Sequence, residues 1–138
     1  MFQRTLELSP TRRGLHDVTD RVAQVVEKSD VTTGLCHVFL QHTSASLLIQ
    51  ENADPRVLAD LDAWFTRMVP DGDARWTHRD EGPDDMPSHV RSALTQPSLT
   101  IPVMDGRLAL GTWQAVYLFE HRLAPHRRRL VVTVQGDR

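Results

Sequence analysis

Beyond Pro97 the chain runs through three strand-type segments in succession, "SLTIPVM", "RLALGTWQAVYLFEH" and "RRLVVTVQG", with no helical pattern between them. Parallel neighbours need a crossover, usually a helix, whereas antiparallel neighbours need only a turn. Asp105-Gly106 supplies a hairpin turn between the first two segments. The stretch argues against a regular βαβ alternation and predicts an α+β fold with a mainly antiparallel sheet.

The remaining elements fit that frame. Phe2 to Leu8 reads as a first strand, broken by "SPTRRG". In "LHDVTDRVAQVVEKSD" the apolar Leu15, Val18, Val22, Val25 and Val26 recur at helical steps, which predicts an amphipathic helix with Asp17 as its cap. "GLCHVFLQHTSASLLIQE" reads as two strands joined through the small, hydroxyl-bearing "HTSAS". In "DPRVLADLDAWFTRMVP" Asp54 caps a second helix and Pro55 takes its first position. Val57, Leu61, Trp64, Phe65 and Met68 form its stripe, and Pro70 with Asp71-Gly72 stops it. Repeats and linker-like tracts are absent, so residues 1–138 read as one compact domain with two main helices.

A chain of 138 residues buries enough surface to fold without a metal or disulfide staple. Its net charge of −2 offers no broad cationic field, which argues against nucleic acid and anionic membranes as partners. Cys36 is the single cysteine, which excludes an intrachain disulfide and a cysteine-rich zinc ribbon. The opening residues lack the apolar core of a signal peptide, and no apolar run reaches the length of a membrane span. A cytoplasmic protein is expected.

The densest chemistry lies in "HRDEGPDDMPSHV", His78 to Val90, with two histidines and the carboxylates Asp80, Glu81, Asp84 and Asp85. Pro83 and Pro87 forbid one continuous helix, although "DMPSHVRSAL" can start a short one at Pro87. Long loops in compact domains are often functional. Prolines between His78 and His89 restrict the backbone and lower the entropy lost in bringing two side chains together. With His42, at the mouth of "HTSAS", three imidazoles and nearby carboxylates suit zinc, manganese or iron, whereas magnesium favours oxygen ligands. The spacing is not that of an H-E-x-x-H helix, and an acidic solvated loop with ordinary histidines stands as the alternative.

Other groups have two readings each. Glu51, at a strand end facing a helix entrance, is a general-base candidate, a partner to a histidine, or surface solvation. Trp113 offers a flat face for a heterocycle or packs in the core, and Gln114 and Glu120 face a polar cleft or alternate outward. In "HRRR", His126 to Arg129, Arg128 alone or Arg127 with Arg129 can grip a phosphate. Ser44 and Ser46 are candidate ligand hydrogen-bonders. No phosphate-cradling glycine motif and no G-x-S-x-G nucleophile setting is present.

The ordered combination of "HTSASLLIQENADPRVLADL", "HRDEGPDDMPSHVRSAL", "SLTIPVMDGRLALGTWQAVYLFEHR" and "RRLVVTVQG" resembles the YjbQ family, commonly labelled secondary thiamine-phosphate synthase. The resemblance implies a compact α+β domain, a homotrimer, and a phosphorylated small-molecule substrate. His42, His78 and His89 match the family's recurring histidines and are the implied metal ligands, with zinc first among the divalent ions. Glu51, Asp60, Asp84, Gln114 and Glu120 match its recurring polar positions and are the implied catalytic set. The implied activity joins an aminopyrimidine pyrophosphate to a thiazole phosphate with release of pyrophosphate. In that scheme a metal neutralises the leaving group, Arg128 adds charge, Ser44 binds and Trp113 stacks on the pyrimidine. A metal-dependent phosphate-ester hydrolase and a non-catalytic ligand-binding or metal-binding trimer are the rival readings. The pattern departs from the family at Gln50, where asparagine is usual, at Ala115, where glycine is usual, and in "HRLAPHRRR", which lacks the usual glycines.

Overall fold

Alternation decides which side chains face inward. The computed structural model describes residues 1–138. They form β1 (Phe2–Leu8), β2 (Gly14–Asp17), α1 (Thr19–Ser29), β3 (Thr33–Leu40), β4 (Ala45–Glu51), α2 (Pro55–Met68), α3 (Asp85–Leu94), β5 (Ser98–Met104), β6 (Arg107–Leu108), β7 (Gln114–Glu120) and β8 (Arg128–Asp137). Two antiparallel sheets result, one in the order β1-β8-β3-β5-β6 and one in the order β2-β7-β4. Cys36, Val38 and Leu40 of β3 are buried while Leu35, His37 and Phe39 between them are not. Register brings Cys36 beside Ile101 and Val134, and Val38 beside Leu99 and Val132, so one face of the large sheet is continuously apolar.

That face meets Leu47, Val116 and Leu118 of the small sheet, and α1 adds Val22, Val25 and Val26 to the same core. β7 is buried on both faces. Val116 and Leu118 turn toward the large sheet, whereas Phe119 turns the other way and meets Phe65 of α2 edge-on at 5.1 Å. The small sheet is thus the middle layer, with α2 and α3 outside it. On α3, Ser92 donates to the Ala45 carbonyl of β4 at 3.2 Å. No helix is long and apolar enough to cross a membrane.

α2 follows the sequence reading: the Asp54 carboxylate accepts the Arg56 N–H at 2.9 Å and Pro55 opens the helix. Asp105 (φ 50°) and Gly106 (φ 77°) form the expected turn between β5 and β6. Three expectations need correction. Residues 14–17 are strand β2, so Leu15 leaves the helical stripe; α1 begins at Thr19, whose N–H Asp17 accepts at 2.9 Å. β2 forms because β7 offers it a free edge, which outweighs a helical pattern only four residues long. Gly111 lies in the turn before β7, where its N–H donates to Gln114 Oε1 at 2.7 Å. α3 is a full third helix and starts at Asp85, two residues before Pro87. Proline is tolerated throughout the first turn because those N–H groups have no intrahelical partner.

Candidate metal centre

The segment between α2 and α3 folds back on itself. Gly72 (φ 73°) donates its N–H to the Pro83 carbonyl at 3.0 Å, with Gly82 (φ 103°) on the return side. Asp84 precedes α3 without capping it, since its Oδ2 accepts Arg122 Nε and Leu123 N–H, each at 2.9 Å. Asp85 then sits one helical turn before His89, and His78 arrives from the loop. Oδ2 of Asp85 lies 2.7 Å from His78 Nε2 and 3.2 Å from His89 Nε2. The two rings meet with centroids 5.6 Å apart. One ligand atom from each of the three residues falls within 4.8 Å of the others.

Arg122 fixes this carboxylate from behind. Its Nη1 donates to Asp85 Oδ1 at 2.8 Å and its Nη2 to the Glu81 carbonyl at 3.0 Å, so one Asp85 oxygen serves the guanidinium and the other serves the imidazoles. Burial works to raise the Asp85 carboxyl; the His78 hydrogen bond and the charges of Arg122 and His89 override it, so the pKa lies below the usual range. The Asp85 hydrogen bond in turn raises His78.

His89 defines the chemistry most sharply. Its Nδ1 lies 3.1 Å from the Thr43 carbonyl, an acceptor only, so Nδ1 carries the proton. In the neutral ring Nε2 then presents a lone pair to the Asp85 carboxylate 3.2 Å away. Two lone pairs facing each other repel unless a proton or a cation lies between them. Donation from the remote ring nitrogen to a backbone carbonyl is also how metal-binding histidines are commonly oriented. Two imidazole nitrogens and a carboxylate oxygen suit zinc or another first-row divalent ion with an open position, so the donor set fits such a group.

Two hollows flank the centre. One, of about 320 Å³, includes His78, Trp76, Arg79, Pro83 and Met86 in its lining. The other, of about 270 Å³, includes His89, His42, Thr43 and Ser92.

Of the three histidines expected as ligands, the structure brings His78 and His89 together but leaves His42 out of the set. His42 Nε2 accepts the Arg129 N–H at 2.9 Å, so its lone pair is taken, and burial lowers its pKa. Asp84 adjoins the centre through Arg122. Glu120 and Arg128 form a buried ion pair through Arg128 Nε and Nη2, and Arg128 Nη1 donates to Ser44 Oγ at 3.0 Å. Arg128 shares the inward parity of Leu130 and Val132 on β8, which is why this pair lies between the sheets.

The structure does not bring the remaining residues to the histidines. Glu51 pairs with Gln114 at one end of the β4–β7 ribbon and Ala45 pairs with Glu120 at the other. Six residues of strand separate those ends, about 20 Å. Glu51 accepts the Asp54 N–H at 3.3 Å there, Trp113 is 63% exposed beside Gln114, and Asp60 is exposed on α2. The expected indole stacking residue is therefore remote, while Trp76, which the sequence reading passed over, lines the hollow next to His78. Arg122 was missed as well, and Asp85 was counted among the segment's carboxylates without being singled out as a ligand. The signal for Asp85 was its four-residue spacing from His89, visible only once the helix starts before Pro87.

Fold and cluster together define a class: small α+β proteins with two stacked antiparallel sheets and a histidine–aspartate site on the outer helical layer. The chain belongs to the YjbQ-like UPF0047 family, whose profile, described as "UPF0047 protein YjbQ-like", matches residues 4–137. It is 52% identical to a UPF0047 protein of Synechocystis over 98% of this chain and 92% of that one. It is 47% identical to UPF0047 protein YjbQ of Escherichia coli, over 99% of each chain. A hypothetical protein from Aeropyrum pernix superposes with a TM-score of 0.89 at 28% identity, covering 99% of this chain and all of that one. An uncharacterized conserved protein of the same family from Clostridium acetobutylicum gives 0.84 at 30% identity, covering 98% and 100%.

Proposed function

We propose that the protein is a metal-dependent enzyme acting on a phosphorylated small molecule, with His78, Asp85 and His89 holding one divalent ion, zinc first and manganese or iron as alternatives. The observation that carries the reading is the convergence of one ligand atom each from His78, Asp85 and His89 within 4.8 Å, with His89 Nδ1 held by the Thr43 carbonyl. When bound, such an ion neutralises phosphate oxygens and activates a leaving group. The protein's own part is to hold the three donors: Thr43 orients His89 and Arg122 orients Asp85. Transfer between two substrates is supported by the paired hollows, one on each histidine. In the family's terms, that transfer joins an aminopyrimidine pyrophosphate to a thiazole phosphate. Within one chain Arg128 is paired with Glu120 and Trp113 lies at the far end of the ribbon, so the reading rests on neither.

Elemental analysis of untagged protein tests the reading, with about one transition ion per chain expected. His89→Ala should stay folded and lose both metal and turnover; an unchanged metal content refutes the centre. Product formation from the two thiamine precursors separates the synthase from its rivals. Phosphate release from esters is the hydrolase outcome, favoured by the 45% exposure of the His78 side chain, which leaves room for water. Metal uptake without any product identifies a binding module. A homotrimer is proposed on the exposed Leu35 and Phe39 of the outer sheet face, with light scattering as its test. The free, buried Cys36 accords with a cytoplasmic setting.

A further inference from the structure

The buried ion pair of Glu120 and Arg128 reaches, by one partner each, toward both groups that orient the metal donors. Glu120 ends β7 and Arg128 opens β8, and both side chains are buried. Glu120 Oε1 accepts Arg128 Nε at 2.9 Å, while Oε2 accepts Arg128 Nη2 together with the N–H groups of His121 at 3.0 Å and Arg122 at 3.4 Å. The backbone that bears the Arg122 guanidinium is thereby tied to a fixed carboxylate, and that guanidinium holds Asp85 Oδ1.

The other arm runs through Ser44. Arg128 Nη1 donates to Ser44 Oγ at 3.0 Å and Nη2 to the Ser44 carbonyl at 3.1 Å, so the planar fork clamps one residue by side chain and main chain at once. Ser44 follows directly on Thr43, whose carbonyl holds His89 Nδ1 at 3.1 Å, and both lie in the turn between β3 and β4, outside either strand. A buried ion pair is often no more stabilising than well-packed apolar residues of similar volume, so stability alone does not account for this one.

We infer that Glu120 and Arg128 are positioning residues for the metal centre: through Arg122 they aim Asp85, and through the Thr43–Ser44 turn they aim His89. The inference rests on the metal-centre reading above and gives the pair a duty in it.

The test compares full-length wild type with the paired replacement Glu120→Leu and Arg128→Met, in which no buried charge is left alone. Its urea midpoint should return close to that of wild type, whereas zinc affinity, read by competition with a chromogenic chelator, should stay about 10- to 100-fold weaker. In metal-free protein, nitrogen NMR of the His89 ring should show the Nδ1–H tautomer in wild type and a mixture with Nε2–H in the double variant. Arg128→Lys keeps the charge beside Glu120 but lacks the fork that reaches Ser44, and it too should bind zinc more weakly. A stable double variant that binds zinc as tightly as wild type overturns the inference; where the double variant fails to fold, wild-type zinc affinity in Arg128→Lys does the same. A wild-type chain that takes up no zinc overturns the metal centre instead. The tautomer comparison still judges the positioning in that case, and an unchanged Nδ1–H ring in the variant ends it.

Discussion

Acid should weaken this fold through one residue in particular. His121 is fully buried, its ring tilted against that of Phe119 with centroids 4.4 Å apart, and its Nε2 lies 2.9 Å from Ser46 Oγ. Burial is the main cause that pushes its pKa down to about 3, and the charges of Arg91, Arg13 and Arg128 push the same way. The folded imidazole is therefore neutral throughout the ordinary range, while in the unfolded chain it titrates near its usual 6.5. Below that value the unfolded state takes up a proton that the folded state refuses. Stability is thus fully present above about pH 6.5 and falls as pH drops toward about 3. One proton is worth about 1.4 kcal/mol per pH unit, so lowering pH from about 7 to about 5 should cost roughly 2 kcal/mol from this group alone. With a urea m-value in the usual range of about 1–3 kcal/mol/M, the midpoint should move by about 1 M.

The comparison is with His121→Gln, which keeps a polar group for Ser46 and does not titrate. His42, also lowered, adds to the acid loss, and His78, raised by Asp85, opposes it. Both remain in the variant, so the difference between the two pH profiles isolates His121. The variant should start less stable near neutrality and show the flatter profile. Parallel profiles would refute the argument.

Two further outcomes follow from the buried charges. Arg122→Gln releases Asp85 Oδ1 and should weaken zinc binding by about 10- to 100-fold, measured by competition with a chromogenic chelator. Glu120→Gln leaves Arg128 buried without its counter-charge and should cost about 3–5 kcal/mol in urea unfolding, whereas the paired replacement Glu120→Leu with Arg128→Met should recover most of it.

Much of the fold was legible because period-two alternation in β3, β5 and β8 maps directly onto an inner face, and because Asp54-Pro55 and Asp105-Gly106 are local signals with local causes. β2 was hidden because its few residues continue a helical spacing, and only the distant edge of β7 decides otherwise. The site was half legible. His78 and His89 stand in one quotable segment, but the start of α3 is blurred by the freedom proline has within a first turn, so Asp85 could not be told apart from the carboxylates beside it. Nothing near His42 in the sequence announces that a backbone N–H 87 residues away occupies its lone pair. The same holds for Arg122, whose partners lie 37 and 38 residues back in the chain.

The exit of β7 carries three neighbours with three distinct duties. Glu120 is bound to Arg128 between the sheets, His121 lies under the helical layer, and Arg122 grips Asp84 and Asp85. A slip of one residue at that exit would hand each duty to the wrong side chain at once. Misassembly of the middle layer would then pull Asp85 away from His78 and His89, so the meeting of those three side chains is itself a proofreading of the strand pairing.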